Sequence, residues 1–162
     1  MSPPPPAADG SGGHDTISPM LDEITKLFAG SFGITITPAG NTGPKEISNA
    51  RKLGYLAARD RDFLAITPQL ESAAARAMTE ALDALIENAL PIAGAIKMVG
   101  EGVLDHIVER FQKTTDHGPP DVSMNPLRPS TIERKGHAQV GIDTGHLSHS
   151  MADARVVTRK VG

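Results

Sequence analysis

Apolar positions along the chain change period several times, and those changes mark out its elements. From Leu70 through Ala73, Ala74, Ala77, Met78, Ala81, Leu82 and Leu85 they recur every three or four residues, the spacing that lines one face of a helix. Thr67-Pro68 just ahead supplies an N-cap and a proline at the first helical position. Glu71, Arg76, Glu80, Asp83 and Glu87 fall off the stripe, so the spacing predicts a long helix whose alanine-lined seam another element can approach closely. Pro91 interrupts the pattern; Ile92, Ile96, Val99, Val103, Leu104, Ile107, Val108 and Phe111 resume it. Either the proline kinks one long helix or it starts a second. Gly94, Gly100 and Gly102 inside the second run each cost about 1 kcal/mol of helix propensity relative to Ala, which points to close backbone packing.

Around this pair the periods are shorter. Ser18-Pro19 repeats the cap-then-proline signal, and Met20, Leu21, Ile24, Leu27 and Phe28 predict a short amphipathic helix that Gly30 closes. Ile34-Thr35-Ile36-Thr37 alternates as a strand does and runs into a turn-rich break from Pro38 to Pro44. Residues 52–57 form a second extended candidate, and Arg59-Asp60-Arg61-Asp62 reads as a solvated turn before Phe63-Leu64-Ala65-Ile66. Past Lys113 the pattern breaks: residues 114–130, with Gly118-Pro119-Pro120 and Asn125-Pro126-Leu127-Arg128-Pro129, predict a long loop of the kind that carries function or stays unordered. Ser130 and Glu133 make a capping box for a short helix over 131–135 ended by Gly136. Asp143 is placed to cap another through Leu147, and Arg155-Val156-Val157-Thr158 reads as a closing strand.

Composition narrows the chemistry. The 162 residues hold no Cys, no Trp, one Tyr and four Phe, so the core must be aliphatic and disulfides, thiolate metal sites and Cys nucleophiles are excluded. Residues 1–16, MSPPPPAADGSGGHDT, offer almost nothing to bury and read as a flexible Pro/Gly-rich arm, leaving 17–162 as a single domain. No apolar run approaches the roughly 18 residues of a membrane span, and the N-terminus lacks a basic patch ahead of an apolar stretch, so the expectation is a soluble chain made inside the cell. A net charge of −3 gives no global reason to bind nucleic acid, and five aromatic residues leave few platforms for stacking bases. The charge is uneven, however: residues 128–162 carry six basic and three acidic side chains, an asymmetry that suits head-to-tail contacts between subunits.

Candidate catalytic signals are sparse. Asp143-Thr144-Gly145 matches the aspartic-protease tripeptide, but that chemistry sits between apolar strands in an all-β fold, whereas this chain is dominated by long helices. His146 and His149, one turn apart with Asp143 nearby, have the spacing of metal ligands without a second ligand cluster. There is no P-loop, dinucleotide fingerprint, nucleophile elbow or HExxH. The expectation is a protein that is not an enzyme and takes no cofactor or metal.

The C-terminal third carries a more specific signal. Asn125-Pro126-Leu127-Arg128-Pro129-Ser130-Thr131-Ile132-Glu133-Arg134-Lys135-Gly136, followed by Ile142-Asp143-Thr144-Gly145-His146-Leu147-Ser148-His149-Ser150, resembles the signature of the tail-completion and virion-morphogenesis family of tailed bacteriophages. That family's pattern is Pro-Leu, Thr-Ile, a basic pair and Gly, then Asp-Thr-Gly-x-Leu and a Ser. Upstream, Gly54-Tyr55-Leu56 through Arg61-Asp62-Phe63-Leu64 looks like the family's Gly-Tyr strand and the Arg-Pro-Phe-Leu ahead of its long helix. Here Ala57-Ala58-Arg59-Asp60 replaces an acidic-aromatic-Gly element and Asp62 stands for the proline. The resemblance spans roughly residues 50–162 and leaves out the arm and the first helix.

The resemblance implies an α+β subunit, two long helices packed on a small antiparallel sheet, that joins a ring, usually hexameric, in the neck or at the head-proximal end of the tail. Such a subunit completes or terminates the tail; the alternatives are a head-closure or adaptor ring of the same neck, or a non-viral helical interaction or nucleic-acid-binding domain. Its partners would be copies of itself and the adjacent neck and tail-tube proteins, with a passing contact to packaged DNA left open and no membrane involved. It would be assembled in the bacterial cytoplasm and reside in the virion. Leu127, Thr131, Ile132, Arg134, Lys135, Asp143, Thr144, Gly145 and Leu147 are the candidate subunit-interface residues. Whether the motif hooks onto a neighbour or packs on its own subunit is open at this level.

Overall fold

Thr67 is extended (φ −122°, ψ 159°), its hydroxyl accepts from the Leu70 N–H, and Pro68 opens helix α3 (Pro68–Ile86) as the spacing predicts. In the computed structural model, which describes residues 1–4, 14–35, 49–141 and 146–159, the chain then turns through Asn88 (φ 55°). Pro91 serves as the N-cap of a separate helix, α4 (Ile92–Gln112). The proline therefore starts a second helix rather than kinking one. The two fold back on each other through Ala73, Ala77 and Ala81, and Gly102 lets them close in: a Cβ there would lie 2.5 Å from the Cβ of Ala77.

The other side of α4 takes the sheet. Strands β1 (Phe32–Thr35) and β2 (Arg155–Thr158) pair antiparallel, Phe32 opposite Thr158 and Thr35 opposite Arg155. The pairing continues where the Arg159 N–H donates to the Ser31 carbonyl at 3.2 Å. A Cβ on Gly100 would stand 2.5 Å from Val156 Cγ1 and 2.9 Å from the Phe32 ring, so this glycine seats both strands. Gly100 and Gly102 are two residues apart, roughly 200° around a helix, which puts the sheet and α3 on opposite sides of α4.

The layers are thus α3, α4, sheet, and the α+β class holds with one correction: of the two long helices only α4 lies on the sheet. Two strands about 4.8 Å apart make a surface about as wide as one helix, so there is room for one. The strand expected at 34–37 is described only as far as Thr35, and the expected turn from Pro38 to Pro44 lies outside the described residues.

Three local expectations are corrected. Helix α1 (His14–Ala29) begins ahead of Pro19 and takes in His14, Asp15 and Thr16, which composition had assigned to the arm. Its expected apolar face is also split: Leu27 is buried and Ile24 half-buried, whereas Met20, Leu21 and Phe28 are exposed. Residues 49–57 are helix α2 (Asn49–Ala57), not a strand. Leu53 is buried and Leu56 half-buried at helical spacing, while Tyr55, which strand alternation would place beside Leu53, faces outward. Helix α5 (Pro129–Lys135) starts at its proline; Arg128, held extended by the proline that follows, is the N-cap, and the Ser130–Glu133 capping box does not form. Gly136 ends α5 in the left-handed region (φ 78°), as expected.

Helix α6 (His146–Ala152) packs on α4 and α2 and runs past the expected end at Leu147. Two apolar clusters result. The larger gathers Phe63, Phe111, Leu104, Met124, Leu127, Val140 and Met151, with the rings of Phe63 and Phe111 stacked at 4.2 Å. Gly141 (φ 77°) lies flat on Phe63, where a Cβ would come within 2.2 Å of the ring. The smaller cluster joins Leu27 to Ala81, Ala95, Ile96 and Val99. Among the described residues no helix is long and apolar enough to cross a membrane.

Candidate functional site

A charged residue lies inside the apolar stripe of α4. Val103, Ile107 and Arg110 follow one another at helical spacing, and the Arg110 side chain is 1 % exposed. An arginine cannot shed its charge in a protein, so burial requires partners for its whole fork. Its Nη1 donates to the Phe63 carbonyl at 2.8 Å and its Nη2 to the Thr67 hydroxyl at 2.8 Å. Toward Asp121, Nη2 donates to Oδ2 at 2.7 Å and Nε is shared between Oδ1 and Oδ2 at 3.0 and 3.1 Å.

His106, one turn earlier on the same face of α4, brings its Nε2 to 2.8 Å from Asp121 Oδ2. Thr67 completes the group. Its hydroxyl donates to Asp121 Oδ2 at 2.7 Å while accepting from Arg110 and from the Leu70 N–H, which uses its one proton and both lone pairs. Burial works to raise the Asp121 carboxyl, but the hydrogen bonds from Arg110, His106 and Thr67, with the Arg110 charge, outweigh it and hold the carboxyl well below the usual carboxylate range.

So arranged, the cluster is suited to fastening. An aspartate held ionised by three donors is a poor proton acceptor, and a threonine hydroxyl with every position engaged is a poor nucleophile. It joins the segment before α3, the last turns of α4 and the loop at 114–128. That loop is ordered by further ties: Thr115 and Gly118 exchange backbone bonds, the Met124 N–H donates to the His117 carbonyl at 2.8 Å, and the Thr114 hydroxyl donates to the Val140 carbonyl at 3.2 Å. Gly118 (φ 95°) makes the tight turn, where a Cβ would lie 2.6 Å from the Val122 carbonyl.

The fastened loop delivers the chain into the C-terminal motif. Leu127 is buried in the main core, and Ile132 and Leu147 pack half-buried against that same core. The motif's apolar anchors therefore converge on their own subunit. Thr131 and Lys135 are half-buried, and Arg134 is exposed at the end of α5. Asp143, Thr144 and Gly145 lie outside the described residues, as does residue 143 of the candidate metal trio. Among the described residues no three His, Asp or Glu side chains converge as metal ligands do.

Sequence reasoning gave Thr67 a capping role alone and passed over Arg110, Asp121 and His106. The available signal was Arg110 itself, a cation at an inward position of an apolar stripe. Next to the cluster, a trough of about 260 Å³ runs between α3 and α4, floored by Ala73, Ala77 and Gly102 and walled by Arg76, Glu80, Asp105 and Glu109. The small floor residues that let the helices approach also leave it open. Compared with protein-family models, curated proteins and solved structures, the chain matches none of them.

Proposed function

We propose that the chain is a structural subunit of a bacteriophage neck or tail, one of a ring of copies, usually six in such layers, that completes the tail or joins it to the head. The observation that carries this reading is the paired motif, Asn125 to Gly136 and Ile142 to Ser150, agreeing with the family pattern in residue type and spacing. Two features of the fold support it. The motif follows a loop pinned by a buried ion pair, with Leu127, Ile132 and Leu147 turned inward and Arg134 outward, as a presenting surface requires. The sheet has only two short strands, each with an unpaired outer edge among the described residues, the kind of edge that proteins cover or share with a neighbour.

In this role the subunit stabilises itself partly through its neighbours, which suits a core of alanine and aliphatics. Its partners are copies of itself and the adjoining neck and tail-tube proteins, and its place is the virion. Tail completion, tail termination and head closure are alternative positions of one ring. Imaging particles made with and without the chain tests the reading: a ring lost together with head–tail joining supports it, and joined, infectious particles without the chain overturn it.

A further inference from the structure

We propose that the outer face of the sheet in one copy docks on the exposed side of α3 in the next, giving a head-to-tail contact between copies of this chain. This rests on the ring reading above and names the surfaces that would build the ring.

The two faces point away from each other. Val156 and Thr158 turn toward α4, leaving Arg155, Val157 and Arg159 on the outer side of β2, with Val157 51 % exposed. The residue opposite Val157 is Gly33, where an added Cβ would meet nothing nearer than the Val157 carbonyl at 4.0 Å. The outer face is thus a bare apolar spot between two arginines.

On the far side of α4, helix α3 buries Ala73, Ala77 and Ala81 and exposes a low ridge of Ala75, Thr79 and Ile86. Glu80, Asp83 and Glu87 stand exposed along its flank, with the one cation Arg76 a turn ahead of Glu80 at the wall of the trough, so the flank is net acidic. The match is one of shape and sign: an apolar spot between cations on one face, a small-residue ridge beside carboxylates on the other. These charges are also unspent. Lys26 and Lys97 each pair with a glutamate on their own helix, and Lys113, just past α4, pairs with Glu109, whereas among the described residues neither Arg155 nor Arg159, and none of Glu80, Asp83 and Glu87, has an ion-pair partner. Because the two faces differ and lie on opposite sides, the contact is heterologous: it repeats from copy to copy and closes into a ring when the rotation per step divides a full turn.

The test is a charge exchange in the full-length chain, read by sedimentation velocity and native mass spectrometry over a concentration series. One variant carries Arg155→Glu and Arg159→Glu, the other Glu80→Lys, Asp83→Lys and Glu87→Lys. Equal thermal midpoints establish that both fold, and a third variant carrying all five changes should associate like the parent because its faces are complementary again. Each variant alone should associate at least about tenfold more weakly than the parent, and a one-to-one mixture of the two should recover association. Association that survives either reversal within about twofold, that mixing fails to recover, or that the parent never shows at millimolar concentration overturns this contact. The ring reading fails separately: a ring still seen in particles built from the reversed variants discards the contact and keeps the ring, whereas absence of the chain from particles discards the ring.

Discussion

Arg110 and Asp121, eleven residues apart, meet across the boundary between a regular helix and an irregular loop, with Arg110 Nη2 2.7 Å from Asp121 Oδ2 and side-chain exposures of 1 % and 7 %. The pair gives the loop a fixed place on α4 and, through Thr67, ties it to the start of α3. Removing one partner leaves the other buried and uncompensated. Asp121→Ala should therefore lower stability by about 3–5 kcal/mol, with Arg110→Ala similar and the double variant costing much less than their sum. Urea unfolding of all four proteins measures the coupling; additive losses would show that the pair does not act as a unit.

Acid should release the same fastening. The carboxyl of Asp121 titrates below its unfolded value, so the folded state binds fewer protons than the unfolded one. Its stabilisation is whole above the unfolded carboxylate pKa of about 3.9 and declines as pH falls from there through the lower folded value. Stability measured between neutrality and pH 2 should fall more steeply for the parent than for Asp121→Asn, which starts lower and has no carboxylate to protonate. Parallel curves would contradict this.

Glycines of α2 and α4 should respond to alanine with opposite signs. Gly102→Ala gains about 1 kcal/mol of helix propensity but drives a methyl to 2.5 Å from the Cβ of Ala77, and overpacking of that kind costs about 1–3 kcal/mol. The net change should be destabilising and relieved by Ala77→Gly. Gly54, inside α2, has nothing within 4 Å of its would-be Cβ, so Gly54→Ala should stabilise by about 0.5–1 kcal/mol. Thermal or urea midpoints report both signs.

Within the C-terminal motif, anchoring and presentation separate. Leu127→Ala opens a cavity in the main core and should cost about 2–5 kcal/mol of stability. Arg134→Glu, at an exposed position, should leave stability within about 0.5 kcal/mol while impairing particle assembly. Unimpaired assembly by a stable Arg134→Glu protein would remove Arg134 from the interface.

What was legible in the sequence follows from how far each signal reaches. Thr67-Pro68 and the alanine stripe define α3 because cap, proline and periodicity are local and agree, and Arg155 to Thr158 form β2 as a local β-branched run whose exposure alternates. Residues 52–57, an extended candidate by sequence, lie in helix α2, where the Leu53–Leu56 spacing sets the buried face. Ser130 falls inside the first turn rather than at the cap, because Pro129, whose ring is preset for the first helical position, opens the helix and leaves Arg128 as the N-cap. The cluster at Arg110 stayed hidden because its members come from three segments, and no local spacing links Thr67 to Asp121.

Symmetry-averaged imaging of the head–tail junction, in particles assembled with and without this chain, tests the central claim most directly. The expected result is a ring of subunits, with α3 of each copy against the sheet of the next, present in the complete particles and missing, along with the joined tail, when the chain is withheld. Particles that lack the chain yet keep an intact junction and infect normally would contradict it.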